Sequence, residues 1–216
     1  MTMESLNHGN RMTIRAWFPT LIYDAPLLPS GGAAFAAELL AECLRVRKHD
    51  VEGRRWCRKN YPDGFTSYAS MNRLQKEFST FMELEKRVTR HVLSLARRLE
   101  MELGEASLRM TTCWVNVMPR HAVHSLHLHP LSVISGSYYV KTPRGCSRLR
   151  FEDPRLDRFM AAPPRREGCR PGNRQHVTYP VEAGRVILFE SWLRHEVSSN
   201  TTSSERVSIS FNYEWA

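Results

Sequence analysis

The fold of this chain is decided by residues 184–215, which read GRVILFESWLRHEVSSNTTSSERVSISFNYEW. An apolar strand is followed by a bend at Ser191-Trp192, a strand starting near His195, a polar turn and a final strand. Residues two apart lie on the same face of a strand. In the final strand one face is polar throughout, at positions Arg206, Ser208, Ser210 and Asn212. That face either meets solvent or lines the interior of a barrel that holds an anion.

The same period of two begins near residue 108. It predicts eight short strands, and Pro, Gly, Asn or Ser clusters separate many of them. The predicted strands are residues 110–118, 123–128, 134–141, 147–151, 176–181, 185–190, 194–198 and 206–213. Strands of this kind are typical of a sandwich or jelly roll and not of a parallel sheet with helices. The longest gap, residues 153–175, contains four prolines and is predicted to be a mobile loop over one end of the barrel.

The first half of the chain has a helical period instead. Helices are predicted over residues 31–50 and 74–104, the second with an apolar stripe and a stop at Gly104. A loop or irregular segment over 50–73 separates them, and a short strand over 13–23 precedes them.

These patterns predict one domain over residues 1–216, of mainly β (α+β) class. Its N-terminal region, residues 1–107, is helical and packs on one sheet. Its core, residues 108–216, is a sandwich or jelly roll. A chain of this length can bury a sizeable core.

The overall composition bounds the class of protein. Hydrophobic residues make up 42% and the formal net charge is +9, so a basic surface is available to anionic partners. No RNP, zinc-finger or helix-turn-helix signature accompanies that charge, and nucleic acid is not predicted as a partner. Five cysteines without a CxxC pair indicate a reducing compartment. With no apolar run of membrane length, we predict a cytoplasmic protein without a membrane partner.

Histidines cluster in residues 124–140, which read HSLHLHPLSVISGSYYV. On a helix, residues two apart point about 200° away from each other, whereas on a strand they share a face. Because the stretch is predicted to be extended, His127 and His129 are expected to face the same way. His195 is the candidate for a third imidazole at the same place.

Together these motifs resemble the Fe(II)- and 2-oxoglutarate-dependent oxygenases, in their prolyl-hydroxylase-like branch. That family has His-x-Asp or His-x-Glu, a distal His, and an Arg-x-Ser about ten residues later. Here the corresponding positions are His127-Leu128-His129, His195 and Arg206-Val207-Ser208. The stretches SGSYYVK and SRLRFEDP are also similar to the family, and the chain resembles most its uncharacterised bacterial and phage members with H-x-H-P and F-E-D-P motifs. The resemblance covers about residues 110–213.

The resemblance implies that residues 108–216 form a double-stranded β-helix, the jelly roll also found in cupins. It further implies a 2-oxoglutarate-dependent non-haem iron dioxygenase, a hydroxylase of unknown substrate that uses Fe(II), 2-oxoglutarate and O₂, with ascorbate as a reductant in vitro. It implies His127, His129 and His195 as metal ligands and Arg206 as the partner of the far carboxylate of 2-oxoglutarate. An Arg fork pairs with a carboxylate bidentately. Additional cosubstrate contacts are expected from Ser208, Tyr139 and Asn116, whereas Tyr138 should face away.

His129 departs from the family pattern, because a carboxylate usually stands there. Imidazole is a workable iron ligand, so His129 is expected to bind, and Asp153 or Glu196 remains the alternative. His121 and His124 are expected at the entrance or behind the ligands, and His8, His49, His91 and His176 in structural or exposed places. Trp114 and Trp192 are expected to fill a core.

Two other functions remain open on the sequence alone. One is a three-His metal dioxygenase of the cupin type that does not use 2-oxoglutarate, and the other is a non-enzymatic binding domain on the same scaffold. The arginine-rich segment 153–175 favours an acidic substrate. The oligomeric state stays open, a homodimer included.

Overall fold

The computed structural model describes residues 14–216. Its strands and helices are β1 Ile22–Pro26, α1 Ala33–His49, α2 Val51–Asn60, β2 Phe65–Thr66, α3 Leu74–Glu77, α4 Ser79–Arg98, β3 Leu108–Met118, β4 His124–His127, β5 Ile134–Lys141, β6 Leu149–Glu152, β7 His176–Tyr179, β8 Arg185–Glu190, β9 His195–Val197 and β10 Arg206–Trp215. His8 and the first residue of the predicted strand 13–23 lie outside the described residues.

Two antiparallel sheets form the molecule. The six-stranded sheet has the order β1-β8-β5-β10-β3-β2, and the four-stranded sheet has the order β4-β9-β6-β7. The eight predicted strands correspond to β3 through β10, with every end within two residues of its predicted place. The jelly-roll fold class is therefore confirmed. Two short N-terminal strands, β1 and β2, extend the larger sheet at its two edges.

The expectations for the first half of the chain were partly wrong. The strand predicted over 13–23 lies at β1 instead, beyond Pro19, which has no N–H to give to a sheet. Residues 51–60 form a helix where an irregular segment was predicted, because the Asp50 side chain accepts a hydrogen bond from the Gly53 N–H and caps it. Only Gly53 and Cys57 are buried in that helix, so it has no apolar stripe to reveal it.

The helix predicted over 74–104 is interrupted and shorter. Phe78 is extended, with φ −130° and ψ 132°, and divides α3 from α4. The second helix ends at Arg98 and not at Gly104, because Glu100 takes the left-handed conformation, with φ 54°. The N–H of Met101 then donates to the Ala96 carbonyl at 3.1 Å. This is the Schellman closure of a helix, made here without glycine.

Two apolar clusters hold the layers together. The larger one joins the helices to the outer face of the six-stranded sheet, as the sequence predicted, and includes the fully buried Leu84, Val88 and Ile209. The smaller one lies between the two sheets and includes Phe151 and Phe189. In the described part of the chain, no helix is long and apolar enough to cross a membrane. The space between the sheets that the smaller cluster leaves open contains the candidate site.

Candidate metal centre and cosubstrate pocket

Strand pairing brings the three predicted histidines together. β4 and β9 are antiparallel, and His127 stands directly opposite His195. The chain after β4 stays beside the turn that precedes β9, because the His129 N–H donates to the Ser191 carbonyl at 3.0 Å. Three imidazoles, two from neighbouring strands and one from the segment that follows β4, thus reach one end of the pocket.

The geometry of the three rings suits a metal ion. One side-chain nitrogen from each of His127, His129 and His195 can be chosen so that all lie within 4.8 Å of one another. Hydrogen bonds to backbone carbonyls fix the orientation of two of the rings. Nδ1 of His127 lies 2.6 Å from the Ser125 carbonyl, and Nδ1 of His195 lies 2.9 Å from the Leu193 carbonyl. A carbonyl partner at Nδ1 leaves the lone pair at Nε2, as in most metal-binding histidines.

Burial keeps two of these imidazoles neutral. Burial, with a smaller contribution from the neighbouring His127, lowers the pKa of His195 to about 3 and that of His129 to about 4. A metal ion binds the neutral form of imidazole. The donor set therefore fits a divalent transition metal such as Fe(II) without prior loss of protons near neutral pH.

Neither alternative carboxylate reaches the three histidines. Asp153 is bound by Arg155, with Nε–Oδ1 2.9 Å and Nη2–Oδ2 2.8 Å. Glu196 alternates with His195 along β9, so it points to the opposite face, where it pairs with Arg150 at 2.7 Å. Among residues 14–216, the cluster able to hold a metal contains the three histidines and no carboxylate.

The predicted cosubstrate residues line the same pocket. Ser208 on β10 lies opposite Asn116 on β3 and opposite Tyr139 on β5. Arg206, only 2% exposed, lies with its guanidinium 5.0 Å from the centre of the Tyr139 ring. Tyr138 faces the helices instead, as predicted.

Five buried polar atoms without hydrogen-bond partners lie on residues that line this pocket or contact its lining. On the lining residues they are Nε of Arg206, the hydroxyl of Tyr139, Oδ1 of Asn116 and Nε2 of His124, and the fifth is the hydroxyl of Tyr61, which contacts His124. Buried polar groups in proteins are almost always hydrogen-bonded, and an unpaired group costs about 1–3 kcal/mol. A buried cation surrounded by unpaired hydroxyls fits a carboxylate, so the pocket fits a dicarboxylate with one end at Arg206 and the other at the histidines.

Two of these residues were not assigned to the cosubstrate by the sequence. Tyr61 follows α2, and its ring lies edge-on to the His124 ring at 4.7 Å. The Arg206 charge lies close enough to lower the pKa of both side chains, although burial, which raises the pKa of Tyr61 and lowers that of His124 to about 3, has the larger effect. No sequence motif marks Tyr61, because it comes from outside the β-helix.

The remaining aromatic and histidine expectations had mixed outcomes. Trp114 is buried as expected, but it lines the pocket and stacks on His129 with ring centres 5.9 Å apart. Trp192 does not fill a core and is 45% exposed. His121 is exposed, and His91 has a structural place, bonded to the Tyr23 hydroxyl at 2.8 Å. His49 is exposed and His176 is half-buried.

The segment that carries this site matches a known protein family. Residues 112–212 match the model of a family described as "Putative 2OG-Fe(II) oxygenase". The match covers 101 of the 216 residues and supports the 2OG-Fe(II) oxygenase superfamily. An oxygenase that depends on non-haem iron and 2-oxoglutarate, as the motifs predicted, agrees with this match. None of the curated proteins compared with it matches.

Solved structures share the fold of this oxygenase. The epimerase SnoN from nogalamycin biosynthesis is 19% identical with a TM-score of 0.64, and the match covers 90% of this chain and 76% of SnoN. A Pseudomonas putida prolyl-4-hydroxylase is 18% identical with a TM-score of 0.59, over 90% and 92% of the two chains. HygX from Streptomyces hygroscopicus, solved with nickel, 2-oxoglutarate and hygromycin B, is 14% identical with a TM-score of 0.60, over 90% and 83%. At these identities the likeness concerns the fold alone.

Proposed function

We propose that this oxygenase is a hydroxylase that couples oxidative decarboxylation of 2-oxoglutarate to hydroxylation of a substrate carrying an acidic group. His127, His129 and His195 would hold Fe(II), and Arg206 would hold the far carboxylate of 2-oxoglutarate. One observation carries the proposal: three imidazoles converge in a pocket that is also lined by a buried arginine whose Nε has no hydrogen-bond partner. Fe(II) supplies O₂ activation when it is bound there.

The surrounding side chains orient 2-oxoglutarate in this proposal. Arg206 offers a planar fork to a carboxylate, and the hydroxyls of Tyr139 and Ser208 can donate to the same oxygens from adjacent strands. Phe189 and Leu149 line the pocket and exclude water from it. A dry pocket strengthens each of these electrostatic contacts.

The charge balance of the site supports a dianionic cosubstrate. With His129 in place of the carboxylate usual in the family, the three proposed ligands carry no charge. The two positive charges of a divalent cation would be balanced by the two carboxylates of 2-oxoglutarate, which leaves only the charge of Arg206 in the pocket. A metal with no anionic side chain beside it retains its full attraction for an anionic cosubstrate.

The basic loop over residues 153–175 supports an acidic substrate. It leaves the smaller sheet one residue past the end of β6, where Phe151 stands opposite His195, so its base lies beside the proposed metal ligands. Its six arginines are all exposed: Arg155, Arg158, Arg165, Arg166, Arg170 and Arg174. Arg155 pairs with Asp153 and Arg158 with Asp157. Basic residues beside an active site raise the local concentration of anionic substrates.

We further propose that this oxygenase works in the cytoplasm. All five cysteines are free thiols: Cys43, Cys57, Cys113, Cys146 and Cys169. Unpaired cysteines are usual in a reducing compartment. Nucleic acid and membranes are not proposed as partners, and the proposal applies equally to a monomer or a homodimer.

Succinate formation tests the oxygenase function before the substrate is known. We expect slow, O₂-dependent release of succinate from the wild-type protein with Fe(II), 2-oxoglutarate and ascorbate. Succinate should be absent with His195→Ala and should fall sharply with Arg206→Ala at low 2-oxoglutarate. Metal binding without 2-oxoglutarate binding would instead favour a cupin-type three-His dioxygenase. A substrate found by screening should accelerate succinate release less at high salt, because salt screens exposed charges.

A further inference from the structure

The guanidinium of Arg206 is held by uncharged neighbours. Its side chain is buried, and none of the ion pairs formed within residues 14–216 includes it. Nη1 of Arg206 instead donates a hydrogen bond to the thioether sulfur of Met118 at 2.8 Å. The guanidinium carbon lies 5.0 Å from the centre of the Tyr139 ring. A sulfur atom and an aromatic ring therefore surround this buried cation where a carboxylate would be the usual partner.

Strand register brings these neighbours to Arg206. Met118 stands directly opposite Arg206 in the pairing of β10 with β3, and Tyr139 stands opposite Ser208 in the pairing of β10 with β5. Met118 is the last residue of β3 and is fully buried. Its carbonyl accepts a hydrogen bond from the Asn200 side chain at 2.8 Å. The sulfur atom that meets Arg206 is thus carried by a fixed segment of backbone.

The nitrogen that Met118 engages determines which edge of Arg206 is left for a ligand. In a guanidinium, the Nε–H and one N–H of Nη2 point in the same direction and can bind both oxygens of a carboxylate, whereas Nη1 lies on the other side. Nη1 is the nitrogen bonded to Met118. Nε is buried and has no hydrogen-bond partner. The Nε edge is therefore the one available to a carboxylate in the pocket.

The chemistry of the sulfur atom suits this arrangement. A thioether is a weak, uncharged acceptor, so it can orient the guanidinium without neutralising it. A carboxylate at position 118 would pair with Arg206 and compete with an anionic ligand for the same charge. A leucine would leave Nη1 in a buried place without this acceptor, which is unfavourable. Met118 therefore combines an acceptor with the absence of charge.

We propose that Met118 is a positioning residue for the cosubstrate: it holds Nη1 of Arg206 so that the Nε edge, with its full positive charge, meets the far carboxylate of 2-oxoglutarate. The inference rests on the function proposed above, in which Arg206 binds that carboxylate. Met118 should consequently affect recognition of the far carboxylate alone. Binding of the 2-oxo acid group, which lies at the histidines in that proposal, should not depend on it.

Calorimetric titration of the Mn²⁺-loaded protein tests this without turnover. The two ligands are 2-oxoglutarate and pyruvate, which has the 2-oxo acid group but no far carboxylate. Met118→Leu conserves volume and should weaken 2-oxoglutarate binding about two- to tenfold, as expected for one net hydrogen bond. Pyruvate and Mn²⁺ affinities should stay unchanged. The matched control is Met110→Leu, because Met110 is also buried on β3 but packs in the larger apolar cluster on the other side of the sheet.

Two variants of equal size separate the acceptor from its charge. Met118→Gln keeps an uncharged acceptor and should bind 2-oxoglutarate nearly as wild type does. Met118→Glu should bind it about thirty-fold more weakly or worse, because its carboxylate takes the guanidinium. Unchanged 2-oxoglutarate affinity in Met118→Leu, an equal loss for pyruvate, or equal affinities in the Gln and Glu variants would each overturn the inference. Should Met118→Leu fail to fold, the Gln and Glu pair remains decisive. Unchanged 2-oxoglutarate affinity in Arg206→Ala would instead reject the proposed function itself.

Discussion

The Nε2 atoms of His129 and His195 lie 3.3 Å apart, although 66 residues separate the two histidines along the chain. When each ring carries its proton at Nδ1, neither Nε2 has a hydrogen to donate, so the two Nε2 atoms face each other with their lone pairs. An ion between or beside them would satisfy both lone pairs.

Removal of any one proposed ligand should weaken metal binding, with His129 as the informative case. We expect His129→Ala and His195→Ala to lose most of the bound metal after purification, as measured by elemental analysis. Glu196→Ala should keep it, because Glu196 pairs with Arg150 on the opposite face of β9. Full occupancy in His129→Ala together with loss in Glu196→Ala or Asp153→Ala would assign the place to a carboxylate.

Arg206→Ala should weaken 2-oxoglutarate binding without comparable loss of metal. Truncation of one member of a buried charge pair costs roughly 2–5 kcal/mol, which corresponds to a factor of about thirty to several thousand in affinity. Calorimetry in the presence of Mn²⁺ measures this. Arg150→Ala is the control, since Arg150 is half-exposed and pairs outside the pocket. An unchanged dissociation constant for Arg206→Ala would remove 2-oxoglutarate from this pocket.

Tyr61→Phe should also weaken 2-oxoglutarate binding, by about ten- to one-hundred-fold. The reason is that a hydrogen bond to a charged group contributes about 1.5–3 kcal/mol, and the buried Tyr61 hydroxyl has no protein partner. Tyr179→Phe is the matched control, because Tyr179 packs against the same apolar cluster from β7. If both variants bind alike, Tyr61 only fills space beside His124.

The metal-free protein should lose stability as the pH falls below neutrality. Burial lowers the pKa of His124 and His195 to about 3 and that of His129 to about 4, whereas an unfolded histidine titrates near ~6.5. Between these values the unfolded state binds more protons, so the free energy of unfolding decreases by up to about 1.4 kcal/mol per pH unit for each histidine. The contribution is fully present above ~pH 6.5.

Urea unfolding of the apo-protein across pH 4–7 measures this dependence, and a variant isolates its source. His124→Asn should flatten the pH dependence, whereas the exposed His49→Asn should leave it as it is. A slope that is the same in wild type and His124→Asn would show that protonation of other groups controls acid unfolding.

Local sequence determined much of this protein. The period of two specified all eight strands of the β-helix, because side chains alternate between the faces of a strand whatever lies opposite. It also placed His127 and His129 on one face and put Arg206 and Ser208 on the polar face of β10. The helix over residues 51–60 was not predicted, because it buries too few apolar residues to show a helical period.

Tertiary structure alone decided which of these faces meet. The approach of Tyr61 to Arg206 depends on how α2 packs beside the barrel, and the hydrogen bond from Ser135 to Asn212 depends on the register of β5 with β10. Periodicity specifies the direction of a side chain within its own strand but says nothing about its partner. Partners 66 or more residues apart are chosen by the packing of whole sheets, which buries their polar atoms and leaves only certain ones within hydrogen-bond reach.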